Sequence, residues 1–323
     1  MTGRRTALVT GAEGQDGTLL TRALLDAGEW DVVATHLGSS TDPSDEPRLT
    51  RVHCDLTDPD AARRLIADHR PTHVFHLASM SSVARSWAAP DQCLRVNAMT
   101  TVDLLQSCAD IVPDVAFVNA SSGEIFGDAP APQNEGTPIA PASPYGIAKA
   151  AAHRMVQTFR ARGLRASNAI LYNHESVLRP TTFVTRKITS HVAAIAHGSR
   201  EPLRLGDIGV ERDWGWAPDY VDALQRIARH EPADDFVVAT GVGHTLSEFV
   251  AAAFRAAGIV DWGEHTVTDP TRRRPSDPRT LVGDPRHIAS EIGWTATVTF
   301  DEVVARLVDY DLSLYDRPLD GAN

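Results

Sequence analysis

The chain has 323 residues, 42% of them hydrophobic, and a formal net charge of −11, which allows a full buried core and opposes nucleic-acid binding, since a duplex needs a basic stripe. No apolar run approaches the twenty residues of a membrane span and no secretory hydrophobic region follows Arg4 and Arg5, so a soluble, cytoplasmic protein without a membrane partner is expected. The three cysteines, Cys54, Cys93 and Cys108, are odd in number and include no two-residue-spaced pair, which argues against a disulfide framework and a zinc ribbon.

The first predicted element is a strand through Ala7 to Val9, followed by Gly11, Gly14 and Gly17 and then a helical pattern in Leu19, Leu20, Ala23, Leu24 and Leu25. Glycines at these places permit a tight turn, close approach of backbone N–H groups to a pyrophosphate and close packing of helix on strand. The helix N-terminus adds favourable charge for the anion. Further strands are predicted through Asp31 to His36, around Val52 and Cys54, and from His73 to Ala78, with helical patterns between them. A helix over Asp91 to Cys108 and a fifth strand over Val115 to Asn119 continue the alternation, which predicts a doubly wound parallel sheet of Rossmann-like α/β type. His73 and His76 fall on opposite faces of their strand, so no joint metal site, and no metal elsewhere, is expected.

The fifth strand leads into "ASSGEIFG", with Ser121, Ser122 and Glu124, and about twenty residues later "SPYGIAK" places Tyr145 and Lys149 four apart. On a helix that spacing puts both on one face. A phenol titrates near 10 and serves as a base at neutral pH only where a cation favours its ionised form, the task assigned to Lys149. Glycine loop and strand-end serines both fall at carboxyl ends of parallel strands, where ligands of such sheets bind. Beyond Asn173 the texture changes to Pro-, Arg- and Gly-rich loops with shorter helices. The predicted organisation is therefore a dinucleotide-binding domain over 1–172 and a smaller lobe over 173–323, with about 217–260 returning to the main domain.

With loop, serines, Tyr145 and Lys149 in this order, the chain resembles the extended short-chain dehydrogenase/reductases. The stretches "TGAEGQDG", "SSGEIFG", "SPYGIAK", "ILYNHES", "FVTRKI", "RDWGWAPDYV" and "RRPSDPRTLVGDP" narrow the resemblance to the GDP-mannose 4,6-dehydratases, from Thr6 to about Tyr310. That resemblance implies Ser122, Glu124, Tyr145 and Lys149 as catalytic residues: Tyr145 takes the proton from the sugar O4, Lys149 holds it ionised, Ser122 bonds O4 in place of the family's threonine, and Glu124 takes the C5 proton. It implies a cofactor set of Gly11, Gly14, Gln15, Asp16, Gly17, His36, Asp55, Leu56 and Leu77 together with Tyr145 and Lys149. For the GDP-sugar it implies Ser81, Asn173, Val184, Lys187, Arg212, Arg274 and Asp277, the last standing where the family has glutamate. A homodimer or homotetramer is implied as well.

The chain departs from the family at the second strand's end. "VVATHLGSS" puts His36 and Leu37 at or near the family's paired arginines, and Glu13 adds a carboxylate to the loop. Repulsion of a 2′-phosphate then favours NAD over NADP, although no acidic residue marks an NAD-type ribose site at the end of that strand. Two further readings follow from these departures. One is a GDP-sugar isomerase, an epimerase or ring-size mutase without net redox; the other is a sensor without catalysis, which the intact Tyr145, Lys149 and Glu124 oppose.

Overall fold

The computed structural model describes residues 4–38, 46–272 and 275–316. The first half alternates strand and helix: β1 (Arg5–Thr10), α1 (Gln15–Asp26), β2 (Trp30–His36), β3 (Leu49–His53), α2 (Pro59–His69), β4 (His73–His76), α3 (Val83–Ala88), α4 (Pro90–Leu94), α5 (Thr100–Ile111), β5 (Ala116–Ser122), α6 (Pro144–Ala161) and β6 (Ala166–Leu171). The second half adds β7 (Asn173–Glu175), α7 (Val184–Ala196), β8 (Leu203–Leu205), β9 (Glu211–Trp216), α8 (Ala217–Arg229), β10 (Asp235–Val238), β11 (Gly243–Thr245), α9 (Leu246–Ala256), β12 (Thr266–Thr268), β13 (Thr280–Leu281), α10 (Arg286–Ile292) and α11 (Phe300–Asp316).

Seven strands form one sheet in the order β10-β6-β5-β4-β1-β2-β3, every neighbouring pair parallel. The sheet is covered on both faces, so successive strand residues enter different cores. Ala7 and Val9 of β1 pack with Leu20 and Leu24 of α1 and with Leu224 and Ile227 of α8, whereas Leu8 packs with Leu65 and Ile66 of α2 and Leu104 and Leu105 of α5. Strand order reverses between β1 and β4, the place where ligands enter such sheets.

A smaller lobe forms around Trp214 of β9, with apolar side chains from α7, α9 and α11. Of the segment 217–260, α8 and β10 lie on the large sheet, while α9 packs in this lobe through Leu246, Phe249 and Val250. The return to the main domain is thus shorter than the sequence reading set it. Asp213, fully buried, joins the lobes: its carboxylate accepts from Thr240 N (2.9 Å), Thr240 Oγ1 (2.6 Å), Gly241 N (2.9 Å) and Gly283 N (3.4 Å).

The continuous helix expected over Asp91 to Cys108 is instead α4, a π-helical turn over Arg95–Met99, and α5. The extra residue of the π turn accompanies an inward Asn97, which accepts from Met80 N (2.7 Å) and donates to Met80 O (3.2 Å). Side-chain spacing cannot reveal such a turn, because the apolar stripe continues across it.

Candidate active site

The start of α6 is set by its own sequence. Ser143 caps the helix by accepting from Gly146 N at 3.0 Å, and Pro144 occupies the first turn, where its missing N–H has no consequence. Tyr145 and Lys149 therefore occupy the first two turns and both are buried. Gly146 lets the loop after β5 come close, since a Cβ there would stand 2.6 Å from the Glu124 carbonyl oxygen. The short 3₁₀ turn carrying Glu124 begins at Ser122, whose hydroxyl accepts from Glu124 N at 3.3 Å.

Burial pushes the Tyr145 phenol well above its ordinary range; the Ser122 hydroxyl, in hydrogen-bonding reach, draws it back, and the Glu124 carboxylate raises it again. Ser122, Glu124 and Tyr145 thus lie close enough to act on one another. Lys149 is placed differently from the sequence expectation. Its Nζ donates to the Ala120 carbonyl at 2.8 Å and lies 5.9 Å from the Tyr145 ring centroid, and burial lowers its pKa to about 8. Within the chain alone, burial rather than Lys149 decides the protonation of Tyr145, and it keeps the proton on.

A groove of about 290 Å³ opens over the carboxyl ends of β1, β2 and β4. Gly11, Gly14, Gln15, Asp16, Gly17, His36, Asp55, Leu56 and Leu77 all line it, and so does Ser81, which the sequence reading gave to the sugar nucleotide. Gly17 is required sterically, as a Cβ there would lie 2.6 Å from Ala12 Cα and closer still to the Gly11 carbonyl. The N-terminus of α1 carries no side-chain cap, so its first N–H groups remain for an anion. An uncapped helix end, a glycine cradle and an apolar wall of Leu56 and Leu77 fit a dinucleotide. At the far end Glu13 accepts from Gly38 N at 3.5 Å and the His36 ring lies 2.9 Å from Gly38 O, placing a carboxylate beside the end of β2.

Gln15 and Asp16 also pin α1 to β7. Gln15 Nε2 donates to His174 O at 3.2 Å, Gln15 Oε1 accepts from Ser176 at 2.9 Å, and Asp16 Oδ2 lies 3.0 Å from His174 Nε2. Burial favours protonation of Asp16, but His174 and Arg179 more than offset it and hold the carboxyl well below its ordinary range. Arg179 escaped the sequence reading. It is the one guanidinium or ammonium among the described residues lining the groove, held by Glu175 Oε2 at 3.1 Å and stacked on Phe183. Its signal in the sequence is the arginine closing "NHESVLR".

On the sugar-nucleotide side, Asn173 is exposed at the start of β7 and Val184 opens α7. Lys187 donates to Arg204 O at 2.5 Å. Arg212 and Asp277, expected to meet a ligand separately, are brought together as an ion pair of 2.6 Å, with Arg212 also donating to Pro278 O at 2.9 Å. Arg274 lies outside the described residues. Among the described residues no group of three His, Cys, Asp or Glu side chains is arranged to hold a metal ion.

The chain matches the family described as GDP-mannose 4,6 dehydratase over residues 8–307. It is 39% identical to GDP-mannose 4,6 dehydratase 2 of Arabidopsis thaliana, covering 97% of this chain and 88% of that protein. It is 34% identical to the GDP-mannose 4,6-dehydratase of Vibrio cholerae serotype O1, over 96% and 94% of the two chains. Among solved structures, MoeE5 in complex with UDP-glucose and NAD superposes with a TM-score of 0.84 at 26% identity, covering 96% of this chain and 99% of that one. UDP-glucose 4-epimerase of Thermotoga maritima, at 24% identity and a TM-score of 0.85 over 96% and 99%, shares the fold. Taken with the glycine groove and the Tyr145–Lys149 helix, these likenesses show that the chain belongs to the GDP-mannose 4,6-dehydratase family.

Proposed function

We propose that the chain is an NAD(P)-dependent nucleotide-sugar dehydratase that converts GDP-mannose to its 4-keto-6-deoxy form. The observation that carries this reading is the carboxylate of Glu124 beside Tyr145 and Ser122, because elimination needs a base for the C5 proton that oxidation alone does not. Gly11, Gly14, Gly17, Leu56 and Leu77 would hold the dinucleotide. When bound, its oxidised nicotinamide supplies an acceptor for the C4 hydride, a store from which it returns to C6, and a positive charge in the cleft.

With that charge offsetting the burial that keeps its proton on in the chain alone, an ionised Tyr145 would take the O4 proton, with Ser122 orienting that oxygen. The resulting 4-keto group acidifies C5–H, Glu124 removes that proton and gives it to the C6 hydroxyl, which departs as water, and the proton held by Tyr145 is left to saturate C5. Arg212, Lys187, Asn173 and Val184, with Asp277 and Arg274, form the GDP subsite of this proposal, and Ser81, which lines the cofactor groove, is assigned to the same sugar nucleotide. In the same proposal the dinucleotide occupies the large sheet and the sugar nucleotide the smaller lobe. Incubation with GDP-mannose should release a product lighter by one water; unchanged sugar mass would point instead to an isomerase.

Glu13, beside the end of β2, supports a preference for NAD over NADP. Titration should show tighter NAD binding, and a preference for NADP would contradict the reading of Glu13 and His36. No helix among the described residues is long and apolar enough to cross a membrane. A cytoplasmic location and a homodimer or homotetramer complete the proposal; sedimentation giving a monomer would remove the latter.

A further inference from the structure

Helix α6 carries a third inward side chain at the spacing of the catalytic pair: Tyr145, Lys149 and His153 follow one another at intervals of four. The buried His153 ring bridges two elements, with Nδ1 3.1 Å from Ser121 Oγ on β5 and Nε2 3.3 Å from Asp235 Oδ2 on β10. Asp235 is fixed independently of His153, by Arg160 Nη2 at 2.8 Å, Asn168 Nδ2 at 2.8 Å and Gln157 Nε2 at 2.5 Å. Burial would raise its carboxyl, but His153, Arg160 and Gln157 outweigh burial and keep it ionised.

Ser121 stands between the two β5 residues that touch the catalytic pair. Ala120 on one side accepts from Lys149, and Ser122 on the other bonds Tyr145. Ser121, His153 and Asp235 are all more than nine-tenths buried, so the serine is no nucleophile for a substrate. A network of this kind is rarely cheaper than apolar packing, but a fully satisfied one fixes a single geometry.

We propose that Asp235, His153 and Ser121 form a positioning relay that fixes the end of β5, so that Ser122 and the Ala120 carbonyl meet Tyr145 and Lys149 in register. The proposal rests on the dehydratase reading for its assay, and its residues touch neither substrate nor cofactor.

The test measures steady-state kinetics of the full-length protein carrying Ser121→Ala or His153→Phe, with GDP-mannose deuterated at C4. Both variants should lower kcat about 10-fold with KM changed less than about 2-fold, since misplacement of reacting groups acts on the chemical step. The C4 isotope effect should rise as hydride transfer becomes slower, the double variant should be no worse than either single one, and Ser121→Thr, which keeps the hydroxyl, should restore kcat. If His153→Phe does not fold, Ser121→Ala carries the test. A rate that falls only with the folded fraction, with the isotope effect unchanged, would overturn the relay. If the wild-type product keeps its mass, the dehydratase reading falls, and the same comparison is made on hydride transfer from C4 in the reaction observed. The relay then falls only if the variants transfer at the wild-type rate.

Discussion

Lys149 is buried, and burial lowers its pKa from 10.5 to about 8. Below pH 8 the folded protein therefore holds a buried ammonium that the unfolded chain would solvate. Between about 8 and 10.5 the unfolded chain binds the proton and the folded one has released it, so stability from this group rises with pH. The penalty is about 3 kcal/mol near pH 7 and about 1 kcal/mol near pH 9.5, so about 2 kcal/mol should be relieved across that interval. Lys149→Met removes the titration while keeping a linear side chain, and its constant effects, including the Ala120 carbonyl left without this donor, cancel in a comparison across pH. The assay is urea unfolding of both proteins at the two pH values, followed through the six tryptophans. The stability of wild type minus that of Lys149→Met should rise by about 2 kcal/mol toward alkaline pH. A flat or falling difference would refute the argument that burial, rather than a stabilising anion, dominates at Lys149.

Two further substitutions probe the cleft. Glu124→Gln should keep GDP-mannose affinity while slowing exchange of the C5 proton about 100-fold, measured by deuterium incorporation from solvent; unaltered exchange would remove Glu124 from the mechanism. Gly17→Ala forces a methyl to within 2.6 Å of Ala12 Cα, so dinucleotide affinity should fall about 10-fold or more by titration calorimetry, and unchanged affinity would detach the glycine loop from the cofactor.

The parts of this molecule that were legible in its sequence are local ones. Gly11, Gly14 and Gly17 mark a turn, Ser143 and Pro144 mark the start of α6, and apolar runs mark the central strands, because each signal lies within a few residues of its effect. The end of β5 was read three residues short: Ser121 and Ser122 are polar yet buried, and only partners on α6 explain them. Pairings between distant segments, Arg212 with Asp277 and His153 with Asp235, depend on how separate strands and helices of the fold come together and have no counterpart in spacing. The same holds for α9, whose amphipathic pattern shows that it buries a face and not which core receives it.

The central claim is that a hydride leaves C4 of a sugar and returns to C6 of the same molecule. Turnover of GDP-mannose deuterated at C4, read by mass spectrometry and proton NMR, tests it directly. The account predicts a product lighter by one water with the deuterium at C6. Deuterium remaining at C4, or lost to solvent with the sugar mass otherwise unchanged, would contradict it.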